Sequence, residues 1–365
     1  DQFEILEGFN ENIDVDFRAK MWDKAGNTTT SLDSSINQFH IDIVDPMISS
    51  INIFSNNVLD SSWAKISDSL FINYISSESL SVSKVIINDN LLNSLNDYDF
   101  NWEVSSIITD DYREGNVNFE IIFEDIAGNI GDTVSYTSDS SFVNIDKTNP
   151  TIFTLFEGND SIDLDYYNDS NSISLYLDYF DSLSGVKDVF IAYTQDTSSL
   201  NEIIWEIYQS DDLYILDSLN FLNNNIYYGG AYVNDYAGNT SNIIFGDGFL
   251  VDIQIPDTGS INDGQWFLEM DYTPDSTLLK YNWSGFSDNI GIRNFELSIG
   301  TNNNKTNILD WFKIDSSEKT TIRDLFLERD TCYYTYMRAY DSALNISKII
   351  KTDGIYFDDS EPRVI

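Results

Sequence analysis

Short runs of apolar and aromatic residues, separated by polar turns, recur along the chain. Typical runs are residues 174–180, 189–193 and 226–233, which are rich in aromatic and β-branched side chains and are bounded by Asp, Asn, Gly or Ser. No stretch keeps a helical period over about ten residues. Several short strands with so little helix predict antiparallel β-sandwiches.

A five-residue pattern, Asp-x-Ala-Gly-Asn, occurs repeatedly between two strand-like runs. It begins at Asp23, Asp125, Asp235 and Asp341, the last copy having Leu344 in place of Gly, and the first residues are 102, 110 and 106 positions apart. Gly and Asn tolerate positive φ, and Asp accepts hydrogen bonds from the backbone that follows it. The pattern therefore predicts a hairpin turn.

Two further markers keep the same period. After each motif an apolar stretch ends in an Asp followed by a Pro, and these prolines are 104, 106 and 106 positions apart: Asp42 and Pro46, Asp146 and Pro150, Asp252 and Pro256, Asp358 and Pro362. Tryptophans recur at intervals of 103 and 106: Trp102, Trp205 and Trp311. We expect these tryptophans to be core anchors at one topological position, in preference to exposed platforms for sugars.

The period sets the predicted domain boundaries. Residues 1–45 form the C-terminal part of a module, complete modules follow at 46–149, 150–255 and 256–361, and residues 362–365 begin a further one. Units of this size match β-sandwich modules better than the short repeats of solenoids. The linkers are short and contain Pro, so the modules are expected to lie end to end.

The third complete unit carries a resemblance to a known family. Its motifs are Tyr281–Ile292, Asp310 with Trp311, Tyr333–Asp341 and Asp353–Pro362. They resemble the tandem immunoglobulin-like or fibronectin type III-like modules of large bacterial surface and secreted proteins. The resemblance implies an all-β fold of tandem antiparallel β-sandwich modules arranged end to end, which serve such proteins as spacers, adhesins or appendages of enzymes.

Charge and residue usage exclude several classes of function. Lys and Arg number 19 against 61 Asp and Glu, which gives a net charge of −42 and disfavours nucleic acid and anionic membranes as partners. No apolar run approaches the roughly 18 residues of a membrane-spanning helix. His40 and Cys332 are single residues on different modules, so they do not form a catalytic pair. Carboxylate pairs arise by chance in so acidic a chain, and we expect no enzyme.

The loops of the predicted sandwiches bring acidic residues together. In an immunoglobulin-like sandwich, the loop between the second and third strands and the loop between the last two strands lie at the end that meets the preceding module. Aspartates fall in both loops, and another leaves each preceding module. They form two predicted sets: Asp146 with Asp181 and Asp235, and Asp252 with Asp288 and Asp341.

Two interpretations of these sets stay open. Calcium prefers six to eight hard oxygens and is the predicted ligand at the junctions between modules. Alternatively, each Asp only supports its own turn. The junction near Asp42 is predicted to bind calcium more weakly or not at all, because residues 72–80 lack the Asp-to-Gly turn and the loop supplies only Glu78 beside Asp125.

The sequence therefore favours a non-enzymatic, extracellular structural segment of a bacterial surface protein, acting as a stalk, fibre or adhesin. Its predicted partners are neighbouring modules of the same chain and like chains in a fibre. Two alternatives are glycan- or protein-binding modules, with a surface glycan or protein as partner, and ancillary modules of a large secreted hydrolase. No nucleic acid and no membrane insertion are expected.

Overall fold

A computed structural model describes most of the chain. The described residues are 13–15, 18–19, 22–28, 33–34, 39–98, 100–158, 162–209, 211, 213–264, 269–301, 304–314 and 318–361. Most of the predicted partial module at 1–45 and all of residues 362–365 lie outside them. Contacts divide the chain into two compact units: unit 1 comprises Asp1–Thr151, Phe180–Asp188 and Val233–Asn242, and unit 2 comprises Ile152–Tyr179, Val189–Tyr232 and Ile243–Ile365.

Unit 1 begins with four short strands that pair as β1 with β4 and β2 with β3: β1 Ile13–Val15, β2 Arg18–Ala19, β3 Asp33–Ser34 and β4 Phe39–Ile41. Ten more strands follow: β5 Ile48–Ser55, β6 Trp63–Ala64, β7 Ser69–Ser76, β8 Leu80–Ile87, β9 Asn90–Asn93, β10 Leu95–Tyr98, β11 Asn101–Ile107, β12 Gly115–Asn116, β13 Phe119–Asp125 and β14 Asn144–Ile145. They form sheets in the orders β10-β11-β7-β5, β13-β8-β9 and β12-β14-β6.

Alternating side chains explain why these sheets pack. In β7 and β13 every second residue is buried, as expected for strands with one face in a core. Ile72 of β7 and Val104 of β11 join Val85 of β8 and Phe123 of β13 in one buried cluster. Each fully buried side chain of this size contributes about 1.5–3 kcal/mol relative to exposure. The sheets therefore form a sandwich around one apolar core.

The remaining strands lie mainly in unit 2. Nine occupy residues 151–251: β15 Thr151–Glu157, β16 Tyr166–Tyr167, β17 Ile173–Phe180, β18 Val186–Thr194, β19 Glu206–Gln209, β20 Leu213–Leu216, β21 Asn225–Asp235, β22 Ile244–Phe245 and β23 Phe249–Val251. Nine more occupy residues 260–357: β24 Ser260–Asp263, β25 Tyr272–Thr273, β26 Leu279–Ser284, β27 Ile292–Thr301, β28 Asn304–Ile314, β29 Lys319–Ile322, β30 Cys332–Asp341, β31 Ile350–Lys351 and β32 Ile355–Phe357. A 3₁₀ turn at Leu200–Glu202 is the only helical element in the described part of the chain.

The sheets of these two sets have matching orders. Sheets β15-β17-β20 and β24-β26-β29 correspond, as do β16-β23-β21-β18-β19 and β25-β32-β30-β27-β28. Parallel pairing is confined to one short pair in each repeat, β6 with β14, β16 with β23 and β25 with β32, among the registers described. The predicted fold class is confirmed: the protein is all-β and consists of antiparallel, immunoglobulin-like β-sandwiches. The exact module boundaries remain a prediction.

The recurring tryptophans do not share one position, contrary to the sequence-based expectation. Trp102 lies in β11 and pairs across to β7, whereas Trp311 lies in β28, which pairs with β27 of the other sheet. Trp205 and Trp311 are only half-buried. The Arg338 guanidinium carbon lies 4.4 Å from the Trp311 ring centroid, and Trp205 packs edge-on against Tyr232 at 5.0 Å. The Trp205 and Trp311 rings contact aromatic or charged neighbours. Trp102 is half-buried and packs against the core of the first complete repeat.

Among the tryptophans that the structure describes, the fully buried one is a different residue. Trp283 in β26 is 2% exposed and packs edge-on against Phe295 with ring centroids 5.5 Å apart.

Among the residues that the structure describes, no helix has the length and apolar character that a membrane span requires.

Candidate metal-binding clusters

The Asp-x-Ala-Gly-Asn motif forms a tight turn, which confirms the predicted hairpin. Asp125 Oδ1 accepts hydrogen bonds from the backbone N–H groups of Gly128 at 2.7 Å and Asn129 at 2.8 Å, and Asn129 Nδ2 donates to Asp125 Oδ2 at 2.7 Å. Gly128 adopts a φ of 96°, which a residue with a side chain adopts at a cost. An antiparallel bridge between Glu124 and Ile130 flanks the turn.

The same turn recurs in the next two repeats. Asn239 Nδ2 donates to Asp235 Oδ2 at 2.8 Å, and Asn345 Nδ2 donates to Asp341 Oδ2 at 2.9 Å. Leu344 occupies the glycine position of the last copy with a φ of 70°. Local chemistry therefore fixes the orientation of each motif carboxylate, because the Asp and Asn side chains hold one another.

The motif asparagine also reaches a distant segment of the chain. Each of three asparagines donates from Nδ2 to the backbone carbonyl oxygen of the Asp that closes the preceding apolar stretch: Asn129 to Asp42 at 3.2 Å, Asn239 to Asp146 at 3.1 Å and Asn345 to Asp252 at 2.8 Å. One amide thus fastens two aspartates, one from its own turn and one from 87 or 93 residues earlier.

The closing aspartates share a geometry of their own. Asp146 Oδ1 accepts from the backbone N–H of Thr148 at 3.0 Å, and Asp252 Oδ1 accepts from that of Gln254 at 3.1 Å. Both aspartates are 0% exposed. Each uses one carboxylate oxygen to shape the linker. The second oxygen of Asp146, Oδ2, accepts from the backbone N–H of Ser184 at 3.0 Å, whereas Asp252 Oδ2 has no hydrogen-bond partner.

The third member of each set comes from the turn after the second long strand of its repeat. Asp181 Oδ2 accepts from the backbone N–H of Gly185 at 2.7 Å, and Asp288 Oδ1 accepts from that of Ile290 at 3.0 Å. Both aspartates are half-buried. The Asp-to-Gly turn therefore directs these carboxylates as the sequence predicted.

The structure brings both predicted sets together. In cluster A, comprising Asp146, Asp181 and Asp235, one carboxylate oxygen from each residue lies within 4.8 Å of the others, and the same holds in cluster B, comprising Asp252, Asp288 and Asp341. All members of cluster A belong to unit 1, and all members of cluster B belong to unit 2. Convergence is thus observed, whereas metal binding at these residues stays a prediction.

Several carboxylate oxygens in these clusters have no hydrogen-bond partner although they are buried. They are Asp181 Oδ1 in cluster A, and Asp252 Oδ2 and Asp288 Oδ2 in cluster B. A buried polar atom without a partner costs about 1–3 kcal/mol, and more when it is charged. Asp252 is the clearest case, because the whole residue is inaccessible to solvent.

The electrostatics follow from burial and from like charges. Burial, opposed by the Asn239 hydrogen bonds and reinforced by the charges of Asp146 and Asp181, raises the pKa of Asp235 to about 6. Burial also raises the pKa of Asp341 and of Asp288, with Asp252 contributing to both. These sites therefore favour an added positive charge, either a proton or a cation.

A third cluster forms where the sequence expected a deficient one. Cluster C comprises Asp42, Glu78 and Asp125, whose carboxylate oxygens also lie within 4.8 Å of one another. Burial pushes the pKa of Asp125 upward, but the hydrogen bonds from Asn129 and Gly128 outweigh it and leave the pKa below its usual range. Glu78 thus takes the place of the missing turn aspartate, and weaker calcium binding at this cluster stays a prediction.

Two more clusters were not predicted from the sequence. They comprise Glu157, Asp163 and Asp247, and Asp263, Glu269 and Asp353. Corresponding members are 106 positions apart, the same period as the other markers, and this spacing could have identified them. None of the five clusters found among the described residues contains His or Cys. Oxygen-only donor sets suit calcium or magnesium and not zinc or copper.

No model of a known protein family matches the chain, and no curated protein matches it. Among solved structures, the chain is similar to domains A168-A170 of titin, with 12% identity, a TM-score of 0.39, and coverage of 86% of this chain and 99% of that one. It is also similar to a structure from a 1.5-MDa bacterial ice-binding adhesin, with 15% identity, a TM-score of 0.42, and coverage of 87% and 99%.

A further similar structure is that of a Ca²⁺-stabilised adhesin of an Antarctic bacterium, with 12% identity, a TM-score of 0.36, and coverage of 94% of this chain and 81% of that one. These identities and TM-scores are low, so the assignment of the fold rests on the strands and cores described above. Fold and clusters together define a tandem-repeat β-sandwich protein with recurrent acidic clusters in its loops.

Proposed function

We propose that this chain is a non-enzymatic, extracellular structural segment of a bacterial surface or secreted protein, acting as a stalk, fibre or adhesin. In this proposal the modules are 46–149, 150–255 and 256–361, and calcium binds at clusters A and B where one module follows another. The observation that carries the proposal is the buried, unpartnered Oδ2 of Asp252, which lies in a cluster built by recurring turns.

Repulsion within each cluster supports a bound cation. The offered carboxylate oxygens lie within 4.8 Å of one another, and two unit charges at that limit repel by about 3.5 kcal/mol at an effective dielectric constant of 20. Three such charges destabilise the folded chain unless a proton or a cation compensates them. Calcium tolerates irregular geometry and takes carboxylates, backbone carbonyls and water as ligands, which suits a site assembled from three loops.

The alternative, in which each Asp only supports its own turn, accounts for only some of the carboxylate oxygens of cluster B. It explains Asp252 Oδ1 and Asp288 Oδ1, which accept backbone hydrogen bonds within their own turns. It offers no partner for Asp252 Oδ2 or Asp288 Oδ2. Calcium supplies one partner for both.

Calorimetric titration of the full chain with CaCl₂ tests the calcium part of the proposal. We expect submillimolar binding, with one site lost in Asp181→Asn and another in Asp288→Asn, since each change removes a charged ligand from one cluster. Asp178→Asn is the matched control, because Asp178 is exposed and belongs to none of the clusters. Heat that appears only above millimolar calcium, or that is unchanged in Asp288→Asn, would contradict calcium binding.

Small-angle scattering of the same chain tests the mechanical part. If calcium joins successive modules, the maximum dimension should be longer in calcium than in chelator, and Asp178→Asn should behave like the unmodified chain. An unchanged dimension in the presence of confirmed binding would separate calcium binding from a stalk function and would count against the latter.

A further inference from the structure

The two clusters that the sequence did not predict share no residue with clusters A, B and C. Inner cluster 1 comprises Glu157, Asp163 and Asp247, and inner cluster 2 comprises Asp263, Glu269 and Asp353. In each, the three carboxylates offer oxygens within 4.8 Å of one another. Both inner clusters belong entirely to unit 2.

Matching backbone contacts build the two inner clusters. Glu157 ends β15, and its backbone N–H donates to Asp163 Oδ1 at 3.1 Å. Asp263 ends β24, and its backbone N–H donates to Glu269 Oε1 at 3.1 Å. Each loop closes when a later N–H donates back to the same residue: Leu164 to Glu157 O at 2.8 Å and Met270 to Asp263 O at 2.7 Å. The second carboxylate is therefore held in place by the backbone of the first.

The central acid of each inner cluster is completely buried and only half satisfied. Glu157 and Asp263 are both 0% exposed. Glu157 Oε1 accepts from the backbone N–H of Gly229 at 3.1 Å, and Asp263 Oδ2 accepts from that of Gly354 at 3.3 Å. The other oxygens, Glu157 Oε2 and Asp263 Oδ1, are buried without a partner. This is an observation independent of the clustering, and it indicates a missing ligand.

Side-chain lengths compensate between the two inner clusters. A Cβ on Gly246 would lie 2.0 Å from Glu157 Oε1, so the longer Glu requires glycine there. In the next repeat the shorter Asp263 leaves room for Thr352, the residue 106 positions after Gly246. At the second carboxylate of each cluster the side-chain lengths are reversed: inner cluster 1 has the shorter Asp163, and inner cluster 2 has the longer Glu269. Carboxylates converge in both clusters despite different side chains, which points to a role for the carboxylates themselves.

The first repeat provides an internal contrast. The same backbone hydrogen bond follows the central position in each repeat: Asn56 N to Ser69 O, Gly158 N to Ser174 O, and Gly264 N to Lys280 O. The residue before each donor is therefore equivalent. Ser55 corresponds to Glu157 and Asp263. The backbone hydrogen bond from Asn144 N to Ser62 O likewise corresponds to that from Leu250 N to Asp165 O. Ser141 and Asp247 each lie three residues before these donors, so they occupy equivalent positions.

These two serines have hydrogen-bond partners within their own repeat. Ser55 Oγ donates to the carbonyl oxygen of Trp63, and Ser141 Oγ accepts from the backbone N–H of Ile53 at 2.9 Å. The first repeat thus satisfies these positions with hydroxyl groups and needs no ligand there. At the aligned central positions, a buried side-chain oxygen without a partner occurs in the two repeats that carry carboxylates, and Ser55 of the first repeat is satisfied.

We propose that inner cluster 1 and inner cluster 2 each bind one calcium ion through their three carboxylates. The ion would bring the unpartnered oxygens of Glu157 and Asp263 into coordination and would tie the ends of β15 and β24 to the loops that precede β23 and β32. Waters would complete the six to eight oxygens that calcium takes.

Burial, opposed by the Gly229 hydrogen bond and reinforced by the charge of Asp163, raises the pKa of Glu157 to about 7. Burial also raises the pKa of Asp263 to about 7. The Thr352 hydrogen bond opposes this rise, and the charge of Glu269 reinforces it. A proton therefore competes with calcium at both positions. Counting the bound calcium ions distinguishes a protonated cluster from a calcium-bound one.

Counting bound ions by native mass spectrometry of the full chain in micromolar calcium tests the proposal. We expect Asp247→Asn and Asp353→Asn each to lose one ion, and the double variant to lose two. Both aspartates are exposed, so their replacement leaves the cores intact, and an unchanged strand signal in circular dichroism checks this. Asp178→Asn should keep every ion.

A second variant, Glu157→Ser with Asp247→Ser, installs the residues that the first repeat carries. We expect it to fold, to lose one ion and to gain less in melting temperature from calcium than the unmodified chain. An ion count unchanged in Asp247→Asn and Asp353→Asn would overturn the proposal, as would binding only at millimolar calcium. Variants Asp181→Asn and Asp288→Asn report on clusters A and B separately, so failure of one proposal is distinguishable from failure of the other.

Discussion

The side-chain amide of Asn345 donates a hydrogen bond of 2.8 Å to the backbone carbonyl oxygen of Asp252, which lies 93 residues earlier in the chain. The same amide donates to Asp341 Oδ2 at 2.9 Å. One neutral group therefore holds two acidic residues of cluster B in place without cancelling their charge. The Asp252 backbone and the Asp341 carboxylate are thus held in fixed positions, as the proposed calcium site requires.

Loss of the asparagine bridge should cost stability. Asn345→Ala removes two hydrogen bonds at a half-buried position, and we expect the free energy of unfolding to fall by about 1–3 kcal/mol. Asn27→Ala is the matched control, because Asn27 Nδ2 binds Asp23 within its own exposed turn. Urea unfolding monitored by tryptophan fluorescence measures both. Equal losses in the two variants would contradict a special role for the long-range bond.

The turn that contains Leu344 should be strained. Leu344 has a φ of 70° and is 52% exposed, so its side chain gains little burial in return for the left-handed conformation. We expect Leu344→Gly to raise the free energy of unfolding by about 0.5–1 kcal/mol. The reverse change in the first repeat, Gly128→Leu at a φ of 96°, should lower it by a similar amount. Thermal unfolding of both variants measures the effect, and a loss of stability in Leu344→Gly would refute it.

Stability in calcium-free buffer should fall as pH rises. The pKa values of Glu157 and Asp263 are raised to about 7, and that of Asp235 to about 6, mainly by burial. Unfolded carboxyl groups lose their protons near pH 4, whereas these folded ones keep theirs until pH 6–7. Folding therefore takes up protons, and the stability that they contribute at low pH is lost between about pH 4 and pH 7.

Melting temperatures measured at pH 5.5 and pH 8 check this expectation. The metal-free chain should melt at a lower temperature at pH 8 than at pH 5.5. Added calcium should raise the melting temperature more at pH 8, because the carboxylates must lose their protons before they bind the ion. A melting temperature that rises with pH in chelator would show that these acids are not destabilised by burial.

Two tryptophans of one repeat should differ strongly in their contribution to stability. Trp283 is buried, and Trp283→Ala should cost about 3–5 kcal/mol. Trp311 is half-buried and contacts Arg338 through its ring face, so Trp311→Ala should cost about 1–2 kcal/mol. Urea unfolding of both variants tests the order. A larger loss in Trp311→Ala would restore the interpretation of that residue as a core anchor.

The hairpin turns and the main acidic clusters follow from local sequence and topology. Asp, Gly and Asn set the motif turn through contacts within five residues, as Asp125, Gly128 and Asn129 illustrate. Once the repeats are assigned to immunoglobulin-like sandwiches, topology places the loops that carry Asp181 and Asp235 at the same end. Cluster A was therefore predictable, because its members lie in turns with strong local preferences.

The sheet position of Trp102 and the composition of cluster C depend on contacts between distant segments, which the sequence did not reveal. Trp102 keeps the repeat period but lies in β11, since pairing with β7 places it in the other sheet. Glu78 completes cluster C although its loop lacks the Asp-to-Gly turn.

The inner clusters depend on burial, which the sequence does not display. Glu157 and Asp263 are buried because the ends of β15 and β24 are enclosed by neighbouring backbone. Sequence alone determined the strands, the turns and clusters A and B, because these follow from side-chain periodicity, local hydrogen bonding and the order of strands. Only the tertiary structure decided which carboxylates are desolvated without a partner, since desolvation arises from segments about 70 to 90 residues apart, as between Glu157 and Gly229 or between Asp263 and Gly354.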